Sequence, residues 1–139
     1  MALERFVEAQ TPVIDTVLAE LAAGRKATHW IWFIFPQLAG LGRSPTARYY
    51  GLTGREDAAA YLAHPVLGPR LLRCVEVAMR GHPRTAHEIF GSPDDLKFRS
   101  CLTLFAAVQG APEIFGAALD LFYDGPDPAT LDLLRTGPN

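Results

Sequence analysis

Residues 28–36 read THWIWFIFP, and this stretch carries the strongest strand signal in the chain. Its aromatic and β-branched side chains favour extended backbone by propensity. A strand needs a partner, because its N–H and C=O groups are costly to bury unpaired. No second stretch of similar character occurs elsewhere in the sequence. Residues 30–35 therefore read as a short buried helix, capped by Thr28 and stopped by Pro36, which has no N–H to give and crowds the residue before it. With that segment helical, the chain as a whole reads as all-α.

Working outward, helix starts recur. Thr11-Pro12, Ser44-Pro45, Ser92-Pro93 and Asp127-Pro128 each place a capping side chain before a proline. Proline suits the first helical position, where its missing N–H would be unbonded anyway, and the preceding oxygen can take a free backbone donor. Thr53 with Glu56, and Thr85 with Glu88, have the spacing of capping boxes. Stops match the starts. Apolar stripes at three-to-four spacing, such as Leu67, Leu71, Cys74, Val75 and Ala78, end at Gly24, Gly81, Gly110 and Gly125, where a left-handed residue would close a helix. The pattern predicts helices at about 3–9, 12–23, 45–50, 54–63, 65–80, 86–90, 93–109, 112–124 and 128–135. The expected architecture is a compact multihelical single domain over residues 1–139, with no substantial sheet and a loose tail at 136–139.

Composition narrows the function classes. The chain has 139 residues, 49% of them hydrophobic and 20% charged, with a formal charge of −2. That balance suits one globular core and disfavours a nucleic-acid partner held by a wholly basic surface. Cys74 and Cys101 fall on apolar helix faces and read as buried thiols. The opening MALERFVEAQ lacks the apolar core of a signal peptide, and the run at residues 30–35 is far too short to span a bilayer. Cytoplasm is the expected compartment, with no membrane partner. The histidines, His29, His64, His82 and His87, form no metal-binding motif, so neither a metal nor another cofactor is expected.

Two polar patches stand out. In KATHWIWFIFPQLAGLGRSPTARYY, residues 26–50, Lys26, His29, Gln37, Arg43, Ser44 and Arg48 flank the aromatic cluster that contains Trp32. The Gly40-Leu41-Gly42-Arg43-Ser44 turn opens a helix at Pro45, an arrangement that can aim backbone donors at an anion. Arg43 and Arg48 could add planar donors. The turn matches neither a dinucleotide fingerprint nor a P-loop, and its glycines could equally serve backbone geometry. The second patch is Asp94-Asp95-Leu96-Lys97 with Ser100 and Thr103. Asp94 and Lys97, three apart, share a helix face, and acids in a first turn also suit the helix dipole. If the two patches meet, they form a polar pocket between helices, with His29 and Asp94 as general acid–base candidates.

Several of these residues carry a family resemblance. His29-Trp30-Ile31-Trp32-Phe33-Ile34-Phe35-Pro36-Gln37, followed by Gly40-Leu41-Gly42-x-Ser44, resembles the signature of the bacterial family known as domain of unknown function 1810. Arg5-Phe6 with Ala9-Gln10, Tyr61-Leu62-x-His64-Pro65-x-Leu67-Gly68-x-Arg70-Leu71, Asp94-x-x-Lys97, Ser100-x-x-Thr103-Leu104-Phe105, and Gly125-x-Asp127 with Thr130-Leu131 are similar to its other blocks. Cys101 stands where serine is common there, and Ile31 where methionine is. The resemblance spans nearly the whole chain. It implies a mainly α-helical single domain and no established activity.

Two functions of different classes remain open on the sequence. One is a pocket that binds, and could hydrolyse or modify, a small anionic ligand such as a nucleotide or an ADP-ribose-like compound. Its candidate contacts are Lys26, His29, Trp32, Gln37, Gly42, Arg43, Ser44, Arg48, Lys97 and Ser100. The other is a non-catalytic protein-interaction or regulatory module, with the partner unknown. That reading expects an exposed apolar patch and a pocket too shallow for a ligand; separately, the polar positions could form a buried network that fixes one helix arrangement.

Overall fold

The computed structural model describes residues 3–136. Among them, ten α-helices succeed one another: α1 (Glu4–Gln10), α2 (Ile14–Ala22), α3 (Ile31–Ile34), α4 (Pro45–Tyr49), α5 (Arg55–Ala63), α6 (Leu67–Met79), α7 (Ala86–Phe90), α8 (Asp94–Ala106), α9 (Ile114–Phe122) and α10 (Pro128–Thr136), with a 3-10 turn at Ala39–Leu41 before α4. No strand occurs among the described residues, and the fold is all-α. The expected loose tail lies outside the described residues except for Thr136, which closes α10.

Residues 30–35 do form a helix, but of a single turn. The Phe35 N–H reaches the Ile31 carbonyl at 3.0 Å, and the Ile34 N–H reaches that of Trp30 at 3.2 Å. Thr28 is not its cap: no side chain caps α3, and the Thr28 hydroxyl donates to Glu20 instead. After Pro36 the backbone extends and finds one partner, in a single parallel bridge between Leu38 and Leu52. That partner is one residue long, too short to show as a strand in the sequence.

Burial puts α8 at the centre. Its Phe98 and every residue from Ser100 to Phe105 are buried, so its middle turns have no solvent face, as befits a helix enclosed on all sides. It packs against α3, α5, α7, α9 and α10. The Phe98 ring stacks on Phe90 at 4.4 Å and meets Phe35 edge-on at 4.7 Å, geometries that suit the ring quadrupole. Trp30 and Phe35 of the aromatic segment thus belong to the core, while Trp32 and Phe33 stay partly open. Cys74 and Cys101 are buried free thiols. Burial pushes Cys74 up to about 12 and Cys101 well above its ordinary range, so neither is a ready nucleophile.

Three caps form as expected. The Thr85 and Glu88 box is complete, with bonds of 3.1 and 2.8 Å; Ser44 accepts from the Ala47 N–H; and Asp127 accepts from the Thr130 N–H. Others do not. Helix α1 runs into Thr11, whose hydroxyl donates back to the Val7 carbonyl, and α2 starts after an uncapped Val13. Thr53 gives its N–H and its hydroxyl to Asp57 rather than pairing with Glu56. Ser92 caps nothing in α8, which begins after Pro93. Gly24 and Gly110 take positive φ as expected, and Gly81 does not. A Cβ on Gly81 would lie 2.9 Å from the Ile89 side-chain tip and 3.2 Å from the Ala78 carbonyl oxygen, so the chain passes close to α7 there.

Candidate functional site

The site begins at the end of α2. Gly24, at φ 73°, turns the chain out of the helix, and one carboxylate organises the loop that leads from it to α3. Glu20 accepts from the N–H groups of Ala27 at 2.7 Å and Thr28 at 3.0 Å, the Thr28 hydroxyl at 2.6 Å and the Trp30 indole N–H at 2.9 Å. Partial burial pushes the Glu20 carboxyl up, but these four donors outweigh it and hold it down at about 2. The loop that carries Lys26, Thr28 and His29 is therefore fixed.

Lys26 leaves this loop inward. Its backbone N–H bonds the Ile89 carbonyl of α7 at 2.7 Å. Its ammonium donates to the Thr28 carbonyl at 2.6 Å, pairs with Asp94 Oδ2 at 2.8 Å and is 6% exposed. The same nitrogen lies 5.0 Å from the centre of the Trp30 ring. Asp94 opens α8, where the helix dipole favours a negative charge. Its other oxygen, Oδ1, faces the Lys97 ammonium at 3.8 Å, and Lys97 Nζ sits 5.2 Å from the Trp32 ring centre. The two polar patches of the sequence thus meet, in the order Trp30, Lys26, Asp94, Lys97, Trp32. Two lysines share one aspartate, so the cluster carries one excess positive charge.

Trp32 also belongs to an open cleft of about 540 Å3, lined by His29, Trp32, Phe33, Pro45, Thr46, Tyr49 and Tyr50. The Phe33 and Tyr50 rings lie 5.4 Å apart, and those of Tyr49 and Tyr50 4.8 Å apart. Arg5 holds the tyrosine wall from behind. Its Nε donates to the Tyr49 carbonyl at 2.7 Å, Nη2 donates to that of Gly51 at 3.3 Å, and the guanidinium lies over Phe6. Partial burial raises the Tyr50 phenol above its ordinary range. The cleft presents aromatic surface, one imidazole and one threonine hydroxyl, and its tryptophan touches a cation.

The other candidates are not among the cleft-lining residues or the lysine–aspartate contacts. In the glycine turn, Gly42 donates its N–H to the Ala39 carbonyl, and the Ala47 N–H is taken by Ser44 Oγ. A Cβ on Gly42 would fall 2.4 Å from that of Ala47, so this glycine lets the turn close on α4. Arg43 and Arg48 are exposed on the turn and on α4, and Gln37 is buried, its backbone carbonyl accepting from the Leu52 N–H. The Ser100 hydroxyl is shared between the Leu96 carbonyl and Asp127. Thr103 accepts from the Asp127 N–H, so both residues fasten α10 to α8.

Sequence reading missed Phe33, Pro45, Thr46, Tyr49 and Tyr50 as cleft residues, along with the organising roles of Glu20 and Arg5. The Tyr49-Tyr50 pair at the end of α4 was the visible signal, since adjacent tyrosines beside an aromatic run are hard to bury together. Glu20 gave none, because its partners lie 7 to 10 residues downstream in a loop. Among the described residues, no group of three or more histidines, cysteines or acids is placed to hold a metal ion, and no helix is long and apolar enough to cross a membrane.

Fold and site together define a small all-α domain with an aromatic cleft beside a lysine–aspartate–lysine cluster. The family model described as protein of unknown function (DUF1810) matches residues 1–134, and the chain belongs to that family. It is similar to the conserved hypothetical protein Rv1873 from Mycobacterium tuberculosis, whose crystal structure superposes with a TM-score of 0.94 at 50% identity over 96% of each chain. Comparison with curated proteins gives no match.

Proposed function

We propose that this chain is a small-molecule-binding domain whose ligand lays a flat ring in the aromatic cleft and carries negative charge, as a nucleotide or an ADP-ribose-like compound does. The observation that carries this reading is Trp32, which lines the cleft and also lies under the Lys97 ammonium. Stacking on aromatic faces is worth about 1–3 kcal/mol per base, and a cation over the Trp32 ring adds selection for an anion. If the ligand is also turned over chemically, His29 is the proton carrier at the cleft, because Asp94 is committed to two lysines. The free, buried cysteines suit a reducing compartment, and cytoplasm is the location we propose.

The test is a thermal-shift screen of the purified protein against nucleotides, sugar phosphates and ADP-ribose near 1 mM. A ligand bound only by the folded state raises Tm, by ~2.7 kcal/mol of stabilisation at a hundredfold excess over Kd. The reading requires a rise that Tyr49→Ala, at an exposed cleft position, reduces. A rise that Tyr49→Ala and Trp32→Ala both leave untouched would place the ligand elsewhere.

An interaction module is the second reading, favoured by the openness of Tyr49, which is 60% exposed. Among the described residues, the exposed large apolar side chains are Tyr49, Leu96, Leu121 and Leu131, one on each of four helices, and a protein partner would call for a contiguous apolar surface.

A further inference from the structure

We infer that Lys97, and not Lys26, is the cation that meets the ligand, and that the cleft selects a ring compound bearing a phosphate or carboxylate over its uncharged parent. This rests on the cleft being the binding site, and it names the residue that sets the charge preference there.

The two lysines share Asp94 unequally. Lys26 is nearly enclosed, with an oxygen of Asp94 at 2.8 Å, the Thr28 carbonyl at 2.6 Å and the Trp30 ring beside it. An ammonium has three N–H groups, and this one has two oxygens and an aromatic ring to occupy them. Nothing is left to offer a ligand. Lys97 differs on each count. Its side chain is 25% exposed and its nitrogen stands 3.8 Å from Asp94 Oδ1, beyond hydrogen-bonding length. Its contact with Trp32 engages the ring, not an oxygen. Lys97 therefore keeps its N–H donors while being held next to the cleft wall.

Asp94 sets this difference. A carboxylate bonded at short range to Lys26 has one oxygen left, and Lys97 reaches it only through space. The attraction keeps the long Lys97 side chain near Trp32, which lowers the ordering cost of binding, yet leaves its excess charge for an incoming anion. Lys26 is thus the structural partner, Lys97 the ligand contact and Asp94 the positioning residue between them.

The experiment is an NMR titration that follows the Trp32 indole N–H with adenosine and with adenosine 5′-monophosphate, on the wild-type chain, Lys97→Gln and Lys97→Arg. We expect the nucleotide to bind on the order of tenfold more tightly than the nucleoside, the size of one charge-assisted hydrogen bond. Lys97→Gln should erase that ratio, and Lys97→Arg should restore most of it. Each variant's melting curve confirms that the fold is intact. Equal affinities for nucleoside and nucleotide, or a ratio that survives in Lys97→Gln, overturn the assignment of Lys97 while the cleft stands. If neither compound moves the Trp32 signal, the cleft reading fails and the role of Lys97 falls with it.

Discussion

Replacing Glu20 by glutamine keeps the shape of the acceptor and removes its charge. In the wild-type fold, Oε1 takes the N–H groups of Ala27, Thr28 and the Trp30 indole, and Oε2 takes the Thr28 hydroxyl. An amide oxygen can still accept the first three, and the new NH2 can donate to the Thr28 oxygen once that hydroxyl turns. The loss is one of charge assistance, which roughly doubles the strength of such bonds. The carboxyl lies at about 2 in the fold against an ordinary 4.5, which at 1.36 kcal/mol per pKa unit corresponds to ~3 kcal/mol of linked stability. Glu20 is partly open to solvent, so we discount this to about 1–2 kcal/mol. Because the folded pKa is depressed, the contribution is complete above pH 4.5 and fades as the pH falls towards 2. Urea unfolding of both proteins from pH 7 down to pH 2.5 measures it, with a midpoint difference on the order of 0.5–1 M at neutral pH. The two proteins should converge in acid. A difference that stays constant from pH 7 to pH 2.5, or no difference at pH 7, would refute the reasoning.

Other substitutions probe the packing around the site. A Cβ on Gly51 would meet the Ala39 Cα at 2.4 Å, so Gly51→Ala forces backbone apart and should cost ~1–3 kcal/mol in urea unfolding. Gly116→Ala in α9 meets nothing within 4 Å and should instead stabilise by ~0.5–1 kcal/mol; a loss there, or no loss at Gly51, contradicts this packing. Lys26→Met leaves Asp94 with Lys97 alone at 3.8 Å and should cost ~2–3 kcal/mol, somewhat below a fully buried pair because Asp94 keeps some exposure. Adding Asp94→Leu should recover part of that loss, and a double-mutant cycle that shows the two changes additive would deny the pairing.

The helical architecture was legible because it rests on local signals. Proline starts, capping side chains and apolar stripes act within a few residues, and Ser44, Thr85 and Asp127 cap as their spacing suggests. Three of the failures share a cause, a nearer or better partner. Thr28 meets Glu20, Thr53 meets Asp57 and Thr11 folds back on Val7. The α6 start shows the reverse case, a cap with an unusual acceptor. There His64 Nδ1 accepts from the N–H groups of Val66 and Leu67, although histidine gives no capping signal in a sequence. Within the candidate site, Lys26, Asp94, Lys97 and Trp32 could be named, but not their order. That order depends on α3 and α7 both packing on α8, a long-range fact with no trace in spacing. Arg43 and Arg48 drew weight from the glycine turn, and the structure leaves them exposed on the turn and on α4.

A crystal structure with bound ligand tests the central claim most directly, using whichever nucleotide or ADP-ribose-like compound gives the largest thermal shift. The account predicts a ring lying against Trp32 between His29 and Tyr49, with its anionic group within hydrogen-bonding distance of Lys97 Nζ. Density in another cleft, such as the one lined by Arg99, Asp120 and Tyr123, with the Trp32 cleft empty, would contradict it.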